Sequence, residues 1–297
     1  MDRQTLNALG VFERCMHIKP DTIERLDGGF TNISYLIIAN GVKYIIRIPG
    51  KGTNEYICRA DEIENMKRLS KTGLLPRMIY ADSDTGIIIS SFVEDNEPFK
   101  IEDIGNRRKL KAVCMALSSL HNSGILLNNE FDIIVVKNQY VEILGEMGVD
   151  LPKEVLNSTK KLDGAVHYLF NKYPKQLVPC HGDPKLNNFL FSGDRLYVID
   201  WEYSGMVDKY FDLVNLAMTN YLTEEQEEKC LHVYEECDFQ PFIKEKYILY
   251  KVITDYLWLY WHLIKLYQGE MVEYNSRSWK NRLERALDNL ELAEELR

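Results

Sequence analysis

Three short runs between Ile33 and Val93 are built from β-branched and aromatic residues: ISYLIIA at 33–39, VKYIIRI at 42–48 and IIISSFV at 87–93. Asn-Gly, Pro-Gly and Thr-Gly punctuate them, which is the pattern of strands bounded by turn formers. Asn40-Gly41 joins the first two, and that dipeptide supplies the positive φ angles of a tight primed turn, so a hairpin is expected. One helix interrupts the strands, roughly Tyr56 to Lys71, with Ile63, Met66 and Leu69 on one stripe. It ends near Gly73.

After Val93 the polar, turn-prone segment EDNEPFKIED at 94–103 reads as a hinge. The remainder is mostly helical, with periodic runs at 106–122, 153–172, 208–222, 224–236, 245–268 and 279–296. The exception is a strand pair at 188–191 and 196–200, joined at Ser-Gly-Asp. The expected fold class is therefore α+β. A small N-terminal β-rich lobe, 1–93, precedes a larger helical C-terminal lobe, 94–297, with polar motifs near a cleft at the join. No internal repeat or low-complexity segment is present.

At 297 residues, with 45% hydrophobic and 27% charged side chains, the chain has the composition of a globular protein with a substantial core. Its net charge of −9 argues against nucleic acid or an anionic membrane as the partner and is compatible with a cationic ligand. The first residues, MDRQTLNALGVFERC, lack the apolar core of a signal peptide. The most apolar run, 247–267, is broken by Lys251, Asp255, His262 and Lys265 and reads as a buried helix rather than a membrane span. The six cysteines form neither a C-x-x-C pair nor a zinc spacing, so a reducing, cytoplasmic location is expected.

Three motifs carry chemistry. In DGGFTN at 27–32, Gly28 and Gly29 let a backbone approach phosphate oxygens closely, though taken alone the pair favours an ordinary loop before a strand. Arg47 ends an apolar strand whose outward neighbours are read as Ile45 and Tyr44; it is either a phosphate contact or a surface cation. Glu62, on the following helix, is placed to pair with it. The most specific motif is HGDPKLNNFLF at 181–191, followed by YVIDWEY at 197–203. Phosphoryl transfer needs a carboxylate facing the attacking hydroxyl and oxygen ligands that hold Mg2+ against the nucleotide. Asp183 meets the first requirement, and Asn188 and Asp200 the second. Glu202, two residues on along an extended segment, is expected on the same side as Asp200. His181 is expected to hold the loop rather than carry protons, Cys180 has no neighbouring base, and Lys185 is either a phosphate contact or solvated.

The order of Gly-rich loop, strand cation, helix Glu, H-x-D-x-x-x-x-N and late Asp resembles the eukaryotic-like protein kinase fold. The residues GGFTN, YIIRIPG at 44–50, HGD and IDWEY are similar to its small-molecule branch, the aminoglycoside phosphotransferase and choline kinase superfamily, and within it to bacterial choline kinases of the LicA type. The likeness runs from about Asp27 to Tyr274. It implies an ATP- and Mg2+-dependent phosphotransferase with Asp183 as base and Asn188, Asp200 and Glu202 as metal ligands. Arg47 would be the phosphate cation and Glu62 its partner. Gly28, Gly29, Thr31 and Asn32 would cover the phosphates, and Ser91, Phe92 and Val93 would form the adenine hinge. Asn187 in place of Asn188 at the metal stays open, because the doubled Asn departs from the family pattern.

Trp258 and Trp261 are three residues apart in the apolar run, hence on one helix face. Aromatic faces hold a quaternary ammonium, which cannot donate an N–H bond, by cation–π attraction of about 0.5–2 kcal/mol per contact. With Tyr274, and with Tyr203 beside Glu202, they resemble the choline pocket of choline kinases, so the implied acceptor is choline and the product phosphocholine. An ethanolamine or aminoglycoside kinase and a catalytically silent choline or nucleotide sensor remain as alternatives. No obligate protein partner is evident.

Overall fold

The computed structural model describes residues 3–26, 31–238, 242–269 and 277–296. The chain divides into two compact units. One joins the residues up to Lys100 with Leu186–Ser204, and the other holds Ile101–Lys185 and the residues from Gly205 onward. The division is thus not the contiguous one at 93/94. The strand pair at 188–200, placed by sequence in the C-terminal lobe, belongs to the first unit.

In the first unit, helix α1 (Arg3–Met16) precedes strands β1 (Thr22–Arg25), β2 (Asn32–Ala39) and β3 (Val42–Pro49), helix α2 (Arg59–Leu69), and strands β4 (Met78–Asp82) and β5 (Ile87–Ser91). The five strands form an antiparallel sheet in the order β1-β2-β3-β5-β4. Asn40 and Gly41 have φ of 52° and 74° and turn the β2–β3 hairpin as expected. The period-2 alternation sends Tyr35, Ile37, Ala39, Tyr44 and Ile46 to one face, where they pack on Ala8, Val11 and Phe12 of α1. Phe12 meets Tyr44 edge to face, with ring centroids 5.3 Å apart. Tyr44 is therefore inward-facing, which corrects its reading as an outward neighbour of Arg47. Strands β6 (Asn96–Pro98), β8 (Phe189–Ser192) and β9 (Arg195–Val198) make a second small sheet in this unit. The expected hinge segment thus contains a strand.

The second unit contains α3 (Arg107–His121), α4 (Ile133–Glu146), α5 (Lys153–Lys172), β7 (Leu177–Cys180), β10 (Gly205–Asp208), α6 (Lys209–Met218), α7 (Glu224–Glu235), α8 (Lys244–Tyr267) and α9 (Arg277–Glu295). Strands β7 and β10 pair antiparallel and lead into and out of the polar motif. Helix α8 is buried around its whole circumference from Val252 to Lys265, as its apolar pattern requires. Among the described residues no helix is long and apolar enough to cross a membrane. All six cysteines are free thiols.

Candidate active site

Alternation along β3 turns Arg47 away from the α1 core and toward the carboxylates of its own unit. Its Nη1 donates to Asp200 Oδ1 at 3.1 Å, and its Nη2 forms a short ion pair with Glu62 Oε1 on α2. The expected Arg47–Glu62 pair is in place. Burial opposes the guanidinium charge, but Glu62, Asp200 and Glu202 outweigh it and hold Arg47 protonated.

Asp200 follows β9 with φ of 68°, a left-handed conformation that Asp tolerates better than most residues. The Ile199 N–H donates to Asn188 O at 3.0 Å, so the β8–β9 ladder continues to the point where Asp200 begins its turn. Asn188 is buried and Asn187 exposed. The backbone at Glu202 and Tyr203 is a turn, not the extended segment expected. Glu202 nevertheless comes close to Asp200, because Asn32 Nδ2 reaches both carboxylates, at 2.7 Å from Glu202 and 3.4 Å from Asp200. The Thr31 hydroxyl makes a short bond to Glu202 Oε1. Burial, with the charges of Asp200 and Glu62, pushes the Glu202 carboxyl up to about 7, against the pull of Arg47 and Thr31.

Arg59, at the start of α2, had no place in the sequence reading. Its Nη1 donates to Glu62 Oε2 at 2.9 Å and to Glu202 Oε2 at 3.3 Å. Tyr203 is buried in the same unit, in the turn that Asn65 of α2 ties down through Ser204.

In the second unit, Asp183 sits in a loop held from beneath by Asp212 of α6. Asp212 accepts the His181 N–H at 2.8 Å, the Gly182 N–H at 2.7 Å and His121 Nε2 at 3.0 Å. Burial would raise its carboxyl, yet these bonds and the nearby histidines bring it below the usual range. His121 Nδ1 in turn meets the Tyr234 hydroxyl at 2.7 Å. The Asp183 N–H donates to His181 Nδ1 at 3.3 Å, consistent with His181 as a loop-holding residue. Asp183 itself is 5% exposed, and Lys185 Nζ lies 2.6 Å from its Oδ2, so Lys185 pairs with Asp183 while its side chain stays partly in solvent.

Cys180 does have a nearby imidazole, contrary to the sequence reading: one ligand-type atom each from Cys180, His121 and Asp212 lies within 4.8 Å of the others. Burial drives the Cys180 thiol well above its ordinary pKa, so the site offers no thiolate. Asp212 and His121 carry no motif. The signal they left is a carboxylate inside the otherwise apolar run of α6, where only a paired charge is tolerated.

Trp258 and Trp261 share a face of α8 in the same unit, their rings perpendicular with centroids 6.2 Å apart. Trp258 stacks on Phe211 and donates Nε1–H to Asn215 Oδ1 at 2.7 Å. Both rings are at least nine-tenths buried. At the expected hinge, Ser91 pairs with Arg77 through its N–H at 2.9 Å and its Oγ at 3.1 Å. The Phe92 N–H reaches Lys43 O at 3.4 Å, and Val93 O accepts from Asn96 Nδ2 at 2.6 Å. Gly28, Gly29 and Tyr274 lie outside the described residues.

A strand arginine locked to a helix glutamate, with an aspartate at a hairpin end and another in a loop pinned from below, defines the protein-kinase-like class of phosphotransferases. The sequence profile of the choline/ethanolamine kinase family matches residues 23–218. The LicA protein of Haemophilus influenzae is 27% identical over 254 residues, 82% of this chain and 73% of that protein. The crystal structure of the choline kinase LicA from Streptococcus pneumoniae superposes with a TM-score of 0.80 at 26% identity, covering 98% of this chain and 100% of the other. A LicA complex with AMP does so at 0.80 and 27%, covering 99% and 100%. The chain belongs to the choline/ethanolamine kinase family, and it is an ATP-dependent kinase of a small molecule.

Proposed function

We propose that the chain transfers the γ-phosphoryl group of ATP to the hydroxyl of choline, giving phosphocholine and ADP, in the cytoplasm. The observation that carries the acceptor is the construction of α6. Asp212 holds the loop of Asp183, Asn215 one turn later holds Trp258, and Asn220 just beyond holds Pro184 O at 3.4 Å. One element thus fixes both the carboxylate that receives the hydroxyl and the aromatic pair suited to a quaternary ammonium.

In this reading Asp183 orients the choline hydroxyl and takes its proton, while Lys185 keeps the carboxylate paired until substrate arrives. Arg47 offsets charge on the nucleotide phosphates, and Ser91–Val93 receive the adenine through backbone groups. Asn188, Asp200 and Glu202 offer only oxygen donors, the set a hard dication takes. Asn188 rather than Asn187 fits as ligand, because its backbone bond to Ile199 brings it to the turn of Asp200. Glu202 already accepts from Thr31, Asn32 and Arg59, which leaves one of a carboxylate's roughly four lone-pair sites for an ion. Bound there, Mg2+ would neutralise charge on the phosphates.

The deciding experiment follows ADP release with choline, ethanolamine and kanamycin side by side. Choline should give the highest kcat/KM. A preference for ethanolamine would overturn the aromatic-pocket reading, and ATP binding without turnover on any acceptor would favour a sensor.

A further inference from the structure

We infer that Arg59 is a positioning residue for phosphoryl transfer, closing a ring of side chains that fixes Arg47 and Asp200; this rests on the roles proposed above for those two. The ring can be traced atom by atom. Arg47 pairs with Glu62 Oε1, and Glu62 Oε2 receives Arg59 Nη1 at 2.9 Å. The same Nη1 reaches Glu202 Oε2 at 3.3 Å, which accepts Asn32 Nδ2 at 2.7 Å. Asn32 returns to Asp200 Oδ1 at 3.4 Å, and Asp200 to Arg47 at 3.1 Å.

Arg59 is the cation that bridges Glu62 and Glu202, whose side chains are 0% and 3% exposed. With it, two guanidinium groups face three carboxylates, of which Asp200 is the most open to solvent, its side chain 28% exposed. The ring therefore presents one carboxylate outward and holds the two buried ones in place around Arg47.

Two further observations argue that Arg59 is more than a helix surface cation. It stands in the first turn of α2, where the helix dipole disfavours positive charge. Its stem is also clamped. Gly86 turns between β4 and β5 with φ of 70°, and a Cβ there would lie 2.7 Å from Arg59 Cγ and 2.9 Å from Cδ. The remaining nitrogens are taken: Nη2 donates to Thr53 Oγ1 at 2.8 Å and Nε to Asn54 Oδ1 at 3.2 Å. Such a fork of donors is beyond the reach of a lysine ammonium.

The test compares Arg59→Met, Arg59→Lys, Glu202→Gln and the Arg59→Met/Glu202→Gln double variant with the parent, each checked for a cooperative thermal melt. Arg59→Met should lower kcat by about 10- to 100-fold, since small misplacement of phosphate contacts is that costly. It should weaken ATP binding measured by calorimetry in EDTA, and leave the KM for choline within about twofold, the scatter expected of a site it does not touch. Arg59→Lys should lose less, because it keeps the charge but only part of the fork. The double variant should lose much less than the product of the single losses, because Glu202→Gln removes the charge that Arg59→Met leaves unpaired.

Parent-like kcat and ATP affinity in folded Arg59→Met would overturn the inference, as would equal shifts in both KM values or losses that multiply. Should Arg59→Met fail to fold, Arg59→Lys decides, and parent-like kinetics there would equally overturn it. Arg47→Met and Asp200→Asn, run in parallel, isolate the underlying reading. If they too are fully active, the site assignment fails, not merely the role of Arg59.

Discussion

Asp183 is nearly buried and is held from both sides, by His181 at its backbone N–H and by Lys185 at its carboxylate. In the role proposed for it, taking the acceptor proton, it contributes chiefly in the transition state. Asp183→Ala should therefore lower kcat by roughly 10²–10⁴-fold while calorimetric ATP affinity stays unchanged; near-parent turnover would remove it from the mechanism. In the proposed aromatic pocket, Trp261 contributes in the ground state instead. Trp261→Ala should raise the KM for choline by a factor of about 2 to 30, the equivalent of 0.5–2 kcal/mol, with the KM for ATP unaltered. Equal shifts in both would make the ring a packing residue.

Beside it, His262 accepts Arg282 Nε–H at its Nδ1, 2.9 Å away. Burial, with the charges of Arg282, Arg285 and Lys185, lowers its pKa to about 2. The unfolded chain protonates this imidazole below about pH 6.5 and the folded chain does not, so acidification drains stability by up to about 1.4 kcal/mol per pH unit below that point. Urea midpoints of parent and His262→Gln measured between pH 7.5 and 5 should diverge accordingly; parallel profiles would mean that the folded imidazole is charged. What was legible in sequence was the pairing of Arg47 with Glu62; the roles proposed for Asp183, Asn188 and Asp200 were read there from chemistry and spacing. Arg59, Asp212 and His121 act through partners 30 to 143 positions away, and no local pattern encodes such distances.

At the scale of elements, α8 and α9 are joined by a buried carboxylate. Asp255 accepts Arg282 Nη1 at 2.8 Å and Arg285 at 2.6 and 3.0 Å, and is itself fully buried. Removing one partner of such a cluster leaves buried charge uncompensated, at a cost of about 3–5 kcal/mol. Since Arg285 retains 32% side-chain exposure, Asp255→Asn belongs at the lower end, about 3 kcal/mol by urea denaturation. A loss under ~1 kcal/mol, the scale of a surface pair, would show that water already screens the cluster.

Helix α8 was legible within a residue at each end, because a largely apolar run this long, without Gly or Pro, leaves one solution. Helix α4 was not: its opening Ile-Ile-Val-Val favours a strand by propensity, and an Asp132 cap with side-chain bonds to Ile134 and Val135 N–H at 2.9 and 3.2 Å starts a helix there instead. Short strands such as β6 and β10 owe their existence to a partner elsewhere in the chain, which a local reading cannot supply.

For the whole molecule, the class of fold followed from the order of motifs, but the grouping of segments did not. The hairpin at 189–198 stands in the middle of a helical stretch of sequence, and it pairs with β6 near the end of the first hundred residues. That return brings Asp200 and Glu202 to Arg47 and Asn32, and it makes a prediction about how ligands stabilise the protein. A ligand at 100 times its Kd adds about 2.7 kcal/mol to the elements it binds. In hydrogen exchange, MgATP should slow β2, β3, α2 and the 189–198 hairpin together, and choline should slow α6 and α8. EDTA should remove the part of the ATP effect that falls on the hairpin, where Asn188 and Asp200 are the proposed oxygen donors. ATP protection confined to the first ninety-three residues, with the hairpin unmoved, would mean that Asp200 and Glu202 do not act with the nucleotide, and the proposed site would have to be rebuilt without them.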